Sequence, residues 1–121
     1  MKYKSFQDMD VWQSAMDLAV KIYKTTENLP RKEDYGFTSQ IRRSALSISA
    51  NIAEAFGREH SLEKINFYYI SRGSISETQS HLEYGRRVGY IQDEIYDELN
   101  NILTKLTFDI NKLIKSIKAK K

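Results

Sequence analysis

A glutamate and a histidine four positions apart, Glu77 and His81, come nearest to a metal-binding motif in this sequence. Di-metal sites in helical bundles use Glu-x-x-His on each of two helices, together with two further glutamates. Here the spacing is one residue longer, and the other histidine, His60, belongs to no second pair of this kind. The chain also has no cysteine, so thiolate ligands and disulfides are excluded. We therefore expect neither a metal nor another cofactor.

Other catalytic motifs are equally hard to find. The glycines are too dispersed to form a loop that cradles phosphate groups. Serines are abundant, but none is spaced with a histidine and an aspartate in a way that indicates a nucleophilic triad. We predict that the protein is not an enzyme.

Basic residues are the remaining candidates for chemistry. Lysines and arginines number 19 against 16 acidic residues, a net charge of +3, and all seven arginines lie between Arg31 and Arg87. They either form a solvated face with salt bridges to nearby glutamates or contact the phosphates of a nucleic acid. The candidates for phosphate contact, which include two lysines near the C-terminus, are Arg42, Arg43, Arg72, Arg86, Arg87, Lys115 and Lys118.

The elements that must position these residues are helices. Apolar residues recur at alternating spacings of three and four, and Pro30 is the only proline. The pattern predicts an all-α fold, a single up-down-up-down antiparallel four-helix bundle in one domain spanning 1–121. The predicted helices cover about 9–28, 38–57, 62–87 and 93–118. The clearest repeat is in the fourth helix: Ile95, Leu99, Ile102, Leu106, Ile110, Leu113 and Ile117.

The sequence gives no indication of a membrane partner. No apolar run approaches the roughly 20 residues that a membrane span needs. The first ten residues lack the apolar core of a signal peptide. We expect a cytoplasmic protein.

Helix 2 combines an apolar stripe with a polar one. The apolar stripe is Phe37, Ile41, Ala45, Ile48, Ile52 and Phe56. Glu77 is predicted to face inward from helix 3, where an unpaired carboxylate would be costly. A catalytic carboxylate with a shifted pKa is the less favoured interpretation, because no nucleophile accompanies it. The favoured one is a structural polar network between the helices, formed by Gln40, Asn51, Glu54, Arg58 and Glu77.

Helix 3 carries more apolar residues than one buried face requires. Phe67, Ile70 and Val88 are assigned to its inner side, together with Glu77. The remaining apolar residues predict a second face that contacts another subunit, although scattered apolar residues on a surface are also normal. This predicted oligomer seam comprises Tyr68, Ile75 and Leu82, with Leu46, Ala50 and Ala53 of helix 2.

Six segments of the chain carry a family resemblance. They are Phe6-Gln7-Asp8-Met9-Asp10-Val11-Trp12-Gln13, Gln40-Ile41-Arg42-Arg43-Ser44-Ala45, Ser47-Ile48-Ser49-Ala50-Asn51-Ile52-Ala53-Glu54, Gly57-Arg58, Gly73-Ser74-Ile75-Ser76-Glu77 and Gly89-Tyr90-Ile91. Taken together, they resemble the bacterial four-helix-bundle proteins encoded in intervening sequences of 23S ribosomal RNA genes. That family includes the accessory variability proteins of diversity-generating retroelements. One departure is Ala55, where the family usually has glycine.

The resemblance implies a homopentameric ring and a non-enzymatic role connected with nucleic acid. In the retroelement branch, it implies a reverse transcriptase as a further partner. The leading hypothesis is therefore an oligomeric accessory protein that binds RNA or DNA through its arginine and lysine surfaces. The alternative is a protein–protein scaffold or adaptor that makes no direct contact with nucleic acid.

Overall fold

The computed structural model describes residues 3–120, and within them the chain forms four α-helices and two short 3₁₀ helices. The α-helices are α1 (Asp10–Thr25), α2 (Phe37–Phe56), α3 (Ser61–Arg87) and α4 (Asp93–Ala119). The 3₁₀ helices, Phe6–Asp8 and Arg31–Glu33, precede α1 and α2. The ends of the predicted N-terminal arm and of the lysine tail lie outside the described residues.

The helices pack in the order of an antiparallel bundle. α1 contacts α2 and α4, and α3 contacts α2 and α4, with the α2–α3 pair the most extensive. The described residues include no β-strand. The predicted all-α four-helix bundle is therefore confirmed. None of the helices within residues 3–120 is long and apolar enough to cross a membrane.

Three of the four helices begin and end within one residue of the predicted positions. The exception is α1, which ends at Thr25 rather than near residue 28. The buried Thr26 hydroxyl donates a 2.8 Å hydrogen bond to the Ile22 carbonyl. Such side-chain bonds to the backbone compete with helix continuation, and this one marks the turn toward Leu29 and Pro30.

The core is formed largely by the predicted apolar stripes. On α2, five of the six predicted residues are buried, and only Phe56 is partly exposed. On α4, three of the seven predicted residues, Leu99, Leu106 and Ile110, are almost completely buried, and the other four are partly exposed. Leu103 and Ile114, which the predicted repeat leaves out, are buried as well. Burying an aliphatic side chain of this size stabilises a fold by about 1.5–3 kcal/mol. These stripes therefore supply much of the driving force for bundle formation.

The turn between α3 and α4 needs two glycines for different reasons. Gly89 has a φ of +88°, a conformation that side-chain-bearing residues rarely adopt. Gly85 lies inside the bundle, where a Cβ atom would come within 2.7 Å of both Phe37 and Ile91. The backbone N–H groups of Tyr90 and Ile91 both donate to the Gly85 carbonyl. The turn thus folds tightly onto the start of α2.

Candidate nucleic-acid interface

Three of the predicted phosphate-binding residues meet in one open cleft between α3 and α4. Arg72 comes from α3, and Lys115 and Lys118 come from the last turns of α4. The cleft has a volume of about 370 Å³, and its other lining residues are Tyr69, Asn111 and Ile114. No acidic residue belongs to this lining. The positive charges in the cleft are therefore available to an anion.

Arg72 is held in a defined position within this cleft. One guanidinium nitrogen donates a 2.7 Å hydrogen bond to Asn111 Oδ1, which joins α3 to α4. The guanidinium carbon lies 4.9 Å from the centre of the Tyr69 ring, and the Lys118 ammonium lies 5.8 Å from the same centre. Cations at these distances are attracted to the face of an aromatic ring. The ring therefore attracts two cations of the cleft.

Arg42, by contrast, is used inside the fold. Its guanidinium donates to Thr26 Oγ1 at 2.9 Å and to the Tyr23 carbonyl at 3.1 Å. It also lies over the Tyr23 ring, 4.2 Å from the ring centre. The geometry places Arg42 at the junction of α1 and α2, away from the cleft, where it satisfies the Tyr23 carbonyl and the Thr26 hydroxyl at the end of α1.

Arg86 and Arg87 share one carboxylate. Arg87 Nε donates to Glu83 Oε2 at 2.8 Å, and Arg86 is hydrogen-bonded to the same oxygen. The Arg87 guanidinium and, next in effect, the Tyr96 hydroxyl lower the pKa of Glu83 to about 2. The carboxylate is therefore ionised at neutral pH and offsets part of the charge of this arginine pair.

Arg43 lies on a different surface, an outward groove between α2 and α3. Glu77 lines the same groove, so this surface carries a carboxylate as well as the Arg43 guanidinium. Arg42, Arg43, Arg86 and Arg87 thus do not join the cleft. Sequence position alone did not distinguish them from Arg72.

The predicted polar network is wrong in its main feature, the inward position of Glu77. Its side chain is 61% exposed, and Oε2 lies 3.5 Å from His81 Nε2 on the same helix. The other members make contacts within α2: Asn51 donates to Ser47, and Arg58 pairs with Glu54 at 2.8 Å. Gln40 is exposed in the groove. Within residues 3–120, no group of three His, Asp or Glu residues could hold a metal ion.

Small hydroxyl side chains make the contacts that the network was expected to make. Ser71 Oγ donates a 2.8 Å hydrogen bond to the Ile48 carbonyl. Ser74 is hydrogen-bonded to Ser47, and Thr78 to Ser44, at 2.9 and 2.8 Å. The signal in the sequence was the matching series of serine and threonine residues on helices 2 and 3, which can satisfy their polar groups while α2 and α3 approach closely.

Half of the predicted oligomer seam lies inside the subunit. Tyr68, Ile75 and Leu82 are only 4%, 0% and 0% exposed, and burial raises the pKa of the Tyr68 hydroxyl to about 12. These residues form the inner face of α3, which reverses the two faces predicted for this helix. The prediction chose the wrong face because Ser71 and Thr78, which are small and polar, complete the buried face. Leu46 and Ala50 on α2 are exposed, and Ala53 is partly exposed.

A model of the 23S rRNA-intervening sequence protein family matches residues 7–112. The chain belongs to this family. It is also similar to a protein with unknown function from the S23 ribosomal protein family of Bacteroides thetaiotaomicron VPI-5482, whose crystal structure was solved at 1.70 Å. The two share 32% sequence identity with a TM-score of 0.78, over 87% of this chain and 98% of the other. Among curated proteins, no match was found.

In this member of the 23S rRNA-intervening sequence protein family, the motif on α3 serves two surfaces. Within Gly73-Ser74-Ile75-Ser76-Glu77, Ile75 is buried and Ser74 bonds to α2. Gly73 and Glu77 instead face outward, and a Cβ atom added at Gly73 would meet nothing within 4 Å. The motif therefore combines residues that hold α3 against α2 with residues on the outer surface of α3.

Proposed function

We propose that this protein is a non-enzymatic, self-associating accessory protein that binds nucleic acid through the α3–α4 cleft. The observation that carries the proposal is the convergence of Arg72, Lys115 and Lys118 around one cleft with no acidic lining residue. Their charges come from two helices, and Asn111 fixes the arginine. Such a cluster neutralises phosphates and releases their counterions. Membership of the 23S rRNA-intervening sequence protein family supports RNA as the nucleic acid.

The test is the salt dependence of binding to a fluorescein-labelled RNA hairpin that carries a single-stranded tail. Three neutralised phosphates predict that the logarithm of the binding constant falls with the logarithm of salt concentration, with a slope of about −2 or steeper. The variant Lys115→Gln/Lys118→Gln should weaken binding and flatten this slope. Fluorescence anisotropy measures both quantities, and circular dichroism checks that the variant is folded.

A matched control is Lys24→Gln/Lys32→Gln, which removes the same charge from exposed positions outside the cleft. It should affect binding much less. Equal losses in the two double variants would show that net charge, and not the cleft, determines affinity. The absence of salt-dependent binding at low salt would overturn the proposal and favour the alternative, a protein–protein scaffold.

Self-association is supported by apolar side chains on the outward sides of α2 and α3. Leu46 is 54% exposed and Ile70 is 51% exposed, and Ala50 lies one turn from Leu46 on the same side of α2. Exposed apolar surface that is contiguous commonly marks an interface between chains. The family resemblance adds the expectation of a pentamer, five copies of the 14.2 kDa chain.

Size-exclusion chromatography with light scattering tests this part of the proposal. The wild-type protein should elute as an oligomer, and Leu46→Glu should shift it toward the monomer. Leu62→Glu is the control, because Leu62 is also exposed but lies at the start of α3. A monomeric wild type would contradict self-association. Gene context tests the remaining partner proposal, since a neighbouring reverse transcriptase gene would favour the retroelement branch.

A further inference from the structure

The α3–α4 cleft contains a flat aromatic and guanidinium surface as well as positive charge. The Tyr69 side chain is 37% exposed at the edge of the cleft. The Arg72 guanidinium lies over its ring and is anchored on the far side of the cleft by Asn111. A guanidinium that is fixed in this way presents a planar group, and planar groups stack on nucleic-acid bases.

The lining of the cleft also includes one apolar side chain, which offers no favourable contact to a phosphate. Ile114, which is 5% exposed, belongs to the lining together with Arg72 and the lysines of α4. An apolar side chain there suits the face of a base or a ribose. The lysines at positions 115 and 118 then lie beside it on the same helix, where they can reach a phosphate.

We propose that this cleft holds one unpaired nucleotide, so that the protein selects single-stranded over double-stranded nucleic acid. The base would stack on the planar guanidinium of Arg72, which the Tyr69 ring supports, and the phosphate would lie beside Lys115 and Lys118. This inference rests on the proposed function, because it requires the cleft to be the nucleic-acid site.

The dimensions of the cleft favour an unpaired strand. Its volume of about 370 Å³ is at the lower end of the range for small-ligand sites and fits one nucleotide. Neighbouring helices in a bundle lie about 8–10 Å apart, so the groove between them is too narrow to admit a duplex. A duplex also keeps its bases stacked on one another, and it could present only phosphates to the lysines. An unpaired base can also stack on the planar guanidinium surface.

The experiment compares a labelled 12-nucleotide single-stranded RNA with a duplex of the same length, both measured by fluorescence anisotropy at low salt. The wild-type protein should bind the single strand about tenfold more tightly than the duplex. Tyr69→Leu should weaken single-strand binding about tenfold and change duplex binding less than about twofold, because only the unpaired base stacks on the guanidinium that the ring holds in place. Tyr69→Phe should restore single-strand binding.

Tyr35→Leu is the matched control. Tyr35 is 98% exposed outside the cleft, so its loss should leave both affinities unchanged. Equal binding of single strand and duplex by the wild type would overturn the inference, and so would a loss of the same size for both RNAs in Tyr69→Leu. These results would leave salt-dependent binding intact, and with it the proposed function. Failure of both RNAs to bind would overturn the proposed function itself.

Discussion

The hydroxyl of Tyr90 donates a 2.7 Å hydrogen bond to Glu33 Oε2, which joins two turns that are 57 residues apart in the chain. The other oxygen of the same carboxylate accepts a 3.2 Å hydrogen bond from the backbone N–H of Phe37, the first residue of α2. The N–H groups at a helix start have no acceptor within the helix. One carboxylate therefore caps α2 and holds the α3–α4 turn against it.

We expect Tyr90→Phe and Glu33→Gln each to lower the urea concentration at which the protein unfolds. The Tyr90 hydroxyl and, to a lesser extent, the Phe37 N–H lower the pKa of Glu33, so both contacts favour the ionised carboxylate. Because the two side chains form one interaction, the double variant should lose less stability than the sum of the single losses. Circular dichroism during urea titration measures all four proteins. Additive losses would show that the two groups act independently.

A methyl group at Gly85 should destabilise the protein by about 1–3 kcal/mol. The added Cβ would lie 2.7 Å from Phe37 Cζ and from Ile91 Cγ1, both of which belong to the packed junction below the α3–α4 turn. Gly73→Ala is the matched control on the same helix, where no atom lies within 4 Å of the new Cβ. It should stabilise the subunit by about 0.5–1 kcal/mol, since alanine is the better helix former. Urea unfolding measures both changes. Similar effects at the two glycines would contradict the importance of the packed junction.

The apolar repeat of α2 was sufficient to predict the buried face of that helix, and the repeat of α4 predicted its buried face in part. Five of the six predicted residues on α2 are buried. On α4 three of the seven predicted residues are buried, and so are Leu103 and Ile114, which the predicted repeat leaves out. In α3 the same reasoning chose the wrong face. There the inner face alternates large residues such as Ile75 and Leu82 with Ser71 and Thr78. A hydroxyl that bonds across to α2 can be buried at little cost, and a count of apolar residues cannot detect it.

The roles of the arginines could not be predicted for a different reason. Arg42 and Arg72 are both flanked by helix-forming residues, and the sequence does not say what each guanidinium will meet. Their roles depend on which neighbouring helix supplies an acceptor: the end of α1 for Arg42 and Asn111 of α4 for Arg72. Such contacts follow from the packing of helices that are distant in sequence. The list of predicted basic residues therefore included the three that line the cleft, but the sequence did not indicate which three they were.

Thr78→Val should lower the free energy of unfolding by about 1–2 kcal/mol. Valine has nearly the same shape, so the change removes the hydroxyl that lies 2.8 Å from both Ser44 Oγ and the Ser74 carbonyl. The partner groups would remain buried without it. Ser76→Ala, at an exposed position on the same helix, should change stability by less than about 0.5 kcal/mol. Urea unfolding measures both, and an unchanged Thr78→Val protein would show that this contact contributes little.

Arg42→Met and Arg72→Met should have opposite effects. Arg42 satisfies the Tyr23 carbonyl and Thr26 at the end of α1, so its loss should cost about 1–2 kcal/mol of stability with RNA affinity unchanged. Arg72 contacts only exposed partners in the cleft, so its loss should weaken RNA binding with little effect on unfolding. Urea titration and fluorescence anisotropy on the same two proteins test the distinction. Loss of RNA binding in folded Arg42→Met would place the interface elsewhere.

The contribution of Glu83 to stability should disappear in acid. The Arg87 guanidinium is the largest cause of its lowered pKa of about 2, against an ordinary value of 4.5. A carboxyl whose pKa is lower in the folded protein stabilises the fold above the unfolded value and loses that effect as pH falls toward the folded value. Wild type should therefore unfold at higher urea than Glu83→Gln at pH 7 and pH 5, and the difference should shrink between pH 4.5 and pH 2. Protonated glutamate and glutamine are nearly alike, so most of the difference between the two proteins should be gone at pH 2. Glu59→Gln, in the exposed α2–α3 loop, is the control for a general loss of one carboxylate. A difference that is already lost at pH 5, or that is constant at every pH, would show that Glu83 does not hold the arginine pair as an ionised group.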